Sequence, residues 1–154
     1  MKVRNAKIAD AKAICSLISN YAERDRMLPR SMADIYENLQ IFTVVELNGN
    51  VVGCCALAII WADLAEIKSL AVDEAKKGSG VGKVLVNTTL ERARQLGLAR
   101  VFALTLNPDF FEKLGFHIIE KDSLPMKVWK DCAKCPKQQN CDEIAVINTL
   151  SPQA

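Results

Sequence analysis

The stretch Val72-Asp73-Glu74-Ala75-Lys76-Lys77-Gly78-Ser79-Gly80-Val81-Gly82-Lys83 has the residue types an anion site needs. Gly78, Gly80 and Gly82 let the backbone approach a ligand with no Cβ in the way. An amphipathic helix opens directly after them, so its first amides and the positive end of its dipole point at the same place. Lys76, Lys77 and Lys83 add positive charge. The stretch therefore reads as a pyrophosphate cradle. Its Gly-x-Gly-x-Gly spacing differs from the Gly-x-Gly-x-x-Gly of dinucleotide sites, and no acidic partner follows the next strand about 20 residues on. The Gly-x-x-x-x-Gly-Lys-Ser/Thr pattern of a P-loop is absent. A plain strand-to-helix connection needs neither two lysines nor three alternating glycines.

Other candidates lie outside that turn. Glu66 interrupts an otherwise apolar strand that runs to Val72, where a carboxylate is costly unless exposed or paired. Lys68, two residues on, shares its face. Partial burial would raise the pKa of Glu66, and Lys68 would lower it. Arg24, Arg26 and Arg30 cluster between two helical segments. Cys132-x-x-Cys135 with Cys141 has part of a metal-ligand spacing, but structural zinc wants four ligands and no second Cys-x-x-Cys exists. His117 or Asp142 could be a fourth ligand. Thiols in an irregular loop, a regulatory thiol and a disulfide remain open alternatives, and no metal is assigned. His117 itself reads as a strand residue.

The 154 residues fit one domain spanning 1–154, and 50% hydrophobic residues can bury a core. A formal charge of +2 demands no nucleic-acid partner. The N-terminus lacks an apolar signal region, and the longest apolar run, Val51 to Ala62, is too short to span a bilayer. A soluble cytoplasmic protein without a membrane partner is expected, its six cysteines reduced. Cys54 and Cys55 are adjacent in an apolar strand and must face opposite ways. The assembly is left open between a monomer and a homodimer.

The elements that must position these residues follow from periodicity. A short strand at Val3–Ala6 leads to a helix over Asp10–Tyr21 with Ile14, Leu17, Ile18 and Tyr21 at helical spacing. Ser31 and Asp34 cap a second helix that turns Ile35 and Leu39 inward. Strands at Ile41–Leu47, Val51–Ile60 and Asp63–Val72 form an antiparallel meander, the first pair joined by the hairpin signal Asn48-Gly49. A helix over Gly80–Leu96 closes at Gly97. A strand at Arg100–Leu106, a short helix at Pro108–Leu114 and strands at Phe116–Glu120 and Glu143–Thr149 complete the order. An irregular Cys-containing insertion, 121–142, separates the last two strands.

This order, with Lys77-Gly78-Ser79-Gly80-Val81-Gly82 and Phe111-Glu112-Lys113-Leu114-Gly115-Phe116, resembles the GNAT family of N-acetyltransferases across nearly the whole chain. The family's turn reads Gln/Arg-x-x-Gly-x-Gly/Ala, and Lys77 keeps the charge of its first position. The resemblance implies an α/β (α+β) fold, a mixed and mostly antiparallel sheet splayed after its fourth strand, with helices on both faces. It implies acetyl-CoA as cosubstrate, its pyrophosphate on Lys77, Gly78, Ser79, Gly80, Val81, Gly82 and Lys83 and its pantetheine along Leu70, Ala71 and Val72. Asn107 and Phe111 match positions beside the CoA arm. Local matches at Leu28-Pro29-Arg30-Ser31, Ala65 to Val72, Phe102 to Thr105 and Trp129-Lys130-Asp131-Cys132 are similar to stand-alone amino-acid N-acetyltransferases of the N-acetylglutamate synthase kind. These catalyse the first step of arginine biosynthesis.

The implied chemistry is direct acetyl transfer to an amine in a ternary complex. The ammonium must first lose a proton, and Glu66 is the candidate base. A backbone amide near Leu70 or Ala71 could hold the developing oxyanion. Phe111 stands where the family often has a tyrosine that protonates the departing thiolate, so the general acid is not identified; Tyr21 and Tyr36 carry no supporting motif. Arg30, with Arg24, Arg26 and Lys68 as weaker choices, would bind a carboxylate of glutamate, the expected small-molecule acceptor. Two other readings stay open: acetylation of another amine (a polyamine, an antibiotic or a protein N-terminus), and a non-catalytic acyl-CoA sensor.

Overall fold

The computed structural model of the chain describes residues 1–23, 30–124 and 143–150. Its strands are β1 (Lys2–Asn5), β2 (Phe42–Leu47), β3 (Asn50–Trp61), β4 (Leu64–Val72), β5 (Arg100–Thr105), β6 (His117–Ile119) and β7 (Ile144–Thr149). Its α-helices are α1 (Ala11–Glu23), α2 (Met32–Glu37), α3 (Val81–Gln95) and α4 (Pro108–Glu112). Among the described residues the strands form one seven-stranded sheet in the order β1-β2-β3-β4-β5-β7-β6. Each neighbouring pair is antiparallel except β4 and β5. The expected meander β2-β3-β4 is present. Its first turn has φ of 51° at Asn48 and 80° at Gly49, as a tight primed hairpin requires.

Side-chain alternation puts one core on each face of the sheet. Val81, Leu85 and Leu90 of α3 pack on Val45, Leu57, Ile67 and Val101. On the other face Ile14, Ile18 and Ile35 of α1 and α2 cover Phe42, Val44, Cys54, Ala56 and Ala71. Cys54 and Cys55 divide between the faces as expected, and burial holds both thiols neutral, pushing Cys55 up to about 12. A third cluster on the α1–α2 face joins Leu64 to Phe102 and Ile147.

Gly53 explains how close α3 lies. A Cβ there would meet Val81 Cγ1 at 2.7 Å and Leu85 Cδ1 at 2.9 Å. The helix therefore rests directly on the backbone of β3, which fixes where its N-terminus lies relative to β4. Ser31 caps α2 by accepting the Asp34 amide at 3.1 Å, and Gly97 follows α3 with φ of 85°, both as the sequence predicts.

Candidate active site

The parallel pairing of β4 with β5 covers only Leu64–Arg100, Ala65–Val101 and Glu66–Phe102. Beyond Glu66 the strands part. Residues 67–72 form one wall of a V-shaped opening and residues 103–105, held from behind by β7, form the other. Along that wall β4 keeps its pairing with β3 but, among the described residues, has no partner strand on its β5 side, so that side of its backbone offers an edge to an extended ligand. At about 3.3 Å per residue, the wall from Glu66 to the glycine turn runs roughly 20 Å. The opening suits a long, thin ligand with phosphates at its mouth and a reactive group at its apex.

The mouth is the turn after β4. Gly78 and Gly80 have φ of 80° and 91°, with no atom within 4 Å of where a Cβ would stand, so both glycines are required by backbone conformation. Gly82 serves a different purpose. A Cβ there would sit 3.3 Å from the Phe110 ring, so this glycine lets α4 close against α3. Helix geometry leaves the amides of Val81, Gly82 and Lys83 without intrahelical acceptors, and the N-cap Gly80 has no side chain to supply one. Those three N–H groups fit a pyrophosphate. Lys83 is exposed beside them. Lys77 is committed differently, with Nζ 3.3 Å from Glu74 Oε1 and 4.8 Å from the centre of the Tyr21 ring.

The apex is Glu66, only 7% exposed. Ala65 and Ile67 pack toward α3, so alternation turns Glu66 and Lys68 to the opposite face, the one α1 and α2 cover. There Glu66 lies between Ala58 of β3 and Phe102 of β5, at the last paired position before the opening. A carboxylate so placed can take a proton from an amine entering on the α1–α2 side.

Arg30 enters from that side. Its Nε donates to Ser69 Oγ at 2.9 Å, its Nη1 lies 3.0 Å from Asp34 Oδ2, and its guanidinium stands 5.7 Å from the centre of the Phe42 ring. The side chain is 12% exposed. Ser69 is itself unusual. Between the pairs Cys54–Ala71 and Ala56–Lys68, β3 has one residue and β4 has two, which is a β-bulge. Ser69 occupies it with φ of 54°, in the left-handed region. Its carbonyl accepts from the Cys54 thiol at 3.5 Å. The bulge re-aims the backbone at Ser69–Leu70, where the expected oxyanion donor lies.

Tyr21 also reaches this wall. Its hydroxyl accepts the Val72 amide hydrogen at 3.3 Å, tying α1 to the strand that leads into the turn. Leu70 is half-buried, while Ala71 and Val72 are buried. Asn107 precedes α4 and donates its amide to Thr105 Oγ1 at 2.8 Å. Phe111 is a core residue, edge-on to Phe110 and Phe116 with 5.1 Å between ring centres in each pair. Its neighbour Phe110, not Phe111, lies over the glycine turn. Tyr36 is exposed and not tied to the opening. Arg24, Arg26, Cys132, Cys135, Cys141 and Asp142 lie outside the described residues, and His117 is exposed on β6.

Comparison with known proteins adds to this geometry. The pattern of the acetyltransferase (GNAT) family matches residues 11–116. An uncharacterized N-acetyltransferase of Chlorobaculum tepidum is 45% identical over 96% of this chain and 96% of its own length. The amino-acid acetyltransferase of Mycobacterium tuberculosis is 40% identical over 86% of this chain and 77% of its own. The crystal structure of N-acetylglutamate synthase from Neisseria gonorrhoeae, complexed with coenzyme A and N-acetyl-glutamate, superposes with a TM-score of 0.89 at 29% identity. It covers 97% of this chain, which spans 35% of that larger protein.

Proposed function

Since the chain belongs to the acetyltransferase (GNAT) family and is an acetyl-CoA-dependent N-acetyltransferase, we propose that its acceptor is the α-amino group of glutamate, in the first step of arginine biosynthesis. The observation that carries this reading is Arg30. It is largely buried on the acceptor face, held over Phe42, and supplies the positive charge and a directed N–H donor for a carboxylate. The likeness to an amino-acid acetyltransferase and to a structure complexed with N-acetyl-glutamate supports it.

In this reading CoA phosphates lie on the amides of Val81, Gly82 and Lys83, and the pantetheine arm follows Leu70, Ala71 and Val72. Glu66 takes a proton from the acceptor ammonium. The neutral nitrogen then attacks the thioester carbonyl, whose oxygen is stabilised by a backbone amide of the bulge near Leu70. The carbon–sulfur bond breaks as the amide forms, the second proton on nitrogen passes to the departing sulfur directly or through water, and CoA leaves as the thiol. Lys68, on the same face as Glu66, is a second cation for the dicarboxylate. No helix among the described residues is long and apolar enough to cross a membrane; we place this chemistry in the cytoplasm as part of the same proposal.

One observation favours a second reading. Asp34 already offsets part of the Arg30 charge, which suits an acceptor less acidic than glutamate. The deciding experiment is mass spectrometry of products from acetyl-CoA and a panel of amino acids and polyamines. N-acetylglutamate well above all other products is the expected result. Dominance of an acetylated amine without a second carboxylate overturns glutamate and leaves the enzyme class intact.

A further inference from the structure

Among the described residues only Asn48 and Ser69 combine a side chain with positive φ. Asn48 belongs to the hairpin turn that calls for it. Ser69 stands inside a strand, with no turn to require the conformation. A strained residue persists only where its surroundings over-determine it, and such residues gather at functional sites. The surroundings of Ser69 are specific. The Cys54 thiol donates to its carbonyl at 3.5 Å, and the Arg30 Nε–H donates to its hydroxyl at 2.9 Å.

We infer that Ser69 is the positioning residue for Arg30, coupling acceptor-carboxylate recognition to the bulge beside the reacting carbonyl. This rests on the reading of Arg30 as the carboxylate-binding residue. The guanidinium has three nitrogens. Ser69 fixes Nε and Asp34 fixes Nη1. Among the described residues no acceptor takes Nη2, the nitrogen left for the acceptor. Two bonds in different directions prevent rotation of the planar group, so that nitrogen points one way, and the aromatic face of Phe42 limits tilt. Ser69 lies in the same bulge as Leu70, so seating a carboxylate on Arg30 and presenting the amide for the oxyanion depend on one residue's backbone.

The experiment is steady-state kinetics of Ser69→Ala, Ser69→Gly, Arg30→Ala and Ser69→Ala/Arg30→Ala, with glutamate and acetyl-CoA varied separately. Ser69→Ala should raise the glutamate KM about tenfold and leave the acetyl-CoA KM within twofold. The double variant should be no worse than Arg30→Ala alone, because Ser69 acts through Arg30. Ser69→Gly adopts positive φ without strain and also lacks the hydroxyl, so it should show the same KM defect, and it guards against a folding failure of the alanine variant. A normal glutamate KM in Ser69→Gly, or defects that simply add, overturns the assignment. Arg30→Ala with an unchanged glutamate KM sinks the carboxylate reading itself. A raised KM in Arg30→Ala beside silent Ser69 variants sinks only the role given to Ser69.

Discussion

At the mouth of the β4–β5 opening, the proposed anion cradle consists of consecutive backbone amides, Val81 to Lys83, set by two glycines of positive φ. At its apex, the proposed recognition is by side chains, with Glu66 and Ser69 on β4, Arg30 just before α2 and Asp34 within it. The mouth is local in sequence and tolerant of side-chain identity, but intolerant of a Cβ where φ is positive. The apex is non-local and depends on particular functional groups, one of them seated in a strained backbone. A substrate that must be the same for a whole family can be held by backbone, whereas an acceptor that varies is read by replaceable side chains.

The separation can be broken most forcefully at Glu66. Glu66→Gln preserves shape and removes the proposed base, so kcat should fall by a factor on the order of a hundred to ten thousand. Calorimetry should find acetyl-CoA affinity within twofold of the parent. Near-normal turnover would place proton removal elsewhere. A large loss of acetyl-CoA affinity would mean that apex and mouth are one site.

Gly80→Ala probes the other end with a smaller effect. Forcing a Cβ into the left-handed region costs about 1–2 kcal/mol, so acetyl-CoA KM should rise roughly tenfold if the turn relaxes to escape the strain. The acceptor KM should stay put. Equal increases in both constants would show that the cradle governs the acceptor pocket too.

The same division decides what could be read from the sequence. The glycine turn was legible because backbone chemistry writes itself into contiguous residue types. The meander, the Asn48-Gly49 hairpin and the helix closed by Gly97 were legible for the same reason. Glu66 stood out because a carboxylate in an apolar strand is costly. Arg30 was reachable only through family resemblance, since a loop arginine has no periodicity. Ser69 had no signal, because serine neither favours positive φ nor marks a bulge. Gly53 gave no warning that α3 would rest on it. Phe111, expected beside the CoA arm, has its ring in the core, and local patterns gave no sign that Phe110 packs on Gly82. The bond from Val72 to Tyr21 depends on how α1 crosses the sheet, which local patterns do not encode.

Asp10 offers the smallest and most discriminating test, because it is bonded to the edge strand β1, which β2 and β3 separate from β4, but immediately precedes the helix that carries Tyr21. Its carboxylate accepts two bonds from Arg4, at 2.7 and 3.0 Å, and a third from the Lys7 amide at 2.7 Å. The Arg4 guanidinium, also bonded to Glu46, holds the Asp10 carboxyl below its ordinary value of 3.8. A carboxyl with a depressed pKa in the folded state binds fewer protons there than in the unfolded chain. Its contribution to stability is therefore present above 3.8 and is lost as pH falls below that value toward the folded pKa. Asp10→Asn should cost on the order of 2 kcal/mol at neutral pH, read as a lower Tm, and the gap from the parent should close in strong acid. Both KM values should stay unchanged at neutral pH. If acetyl-CoA KM rose instead, the start of α1 would be steering Tyr21 on the Val72 amide, and the mouth would owe its shape to a distant ion pair as well as to its own glycines.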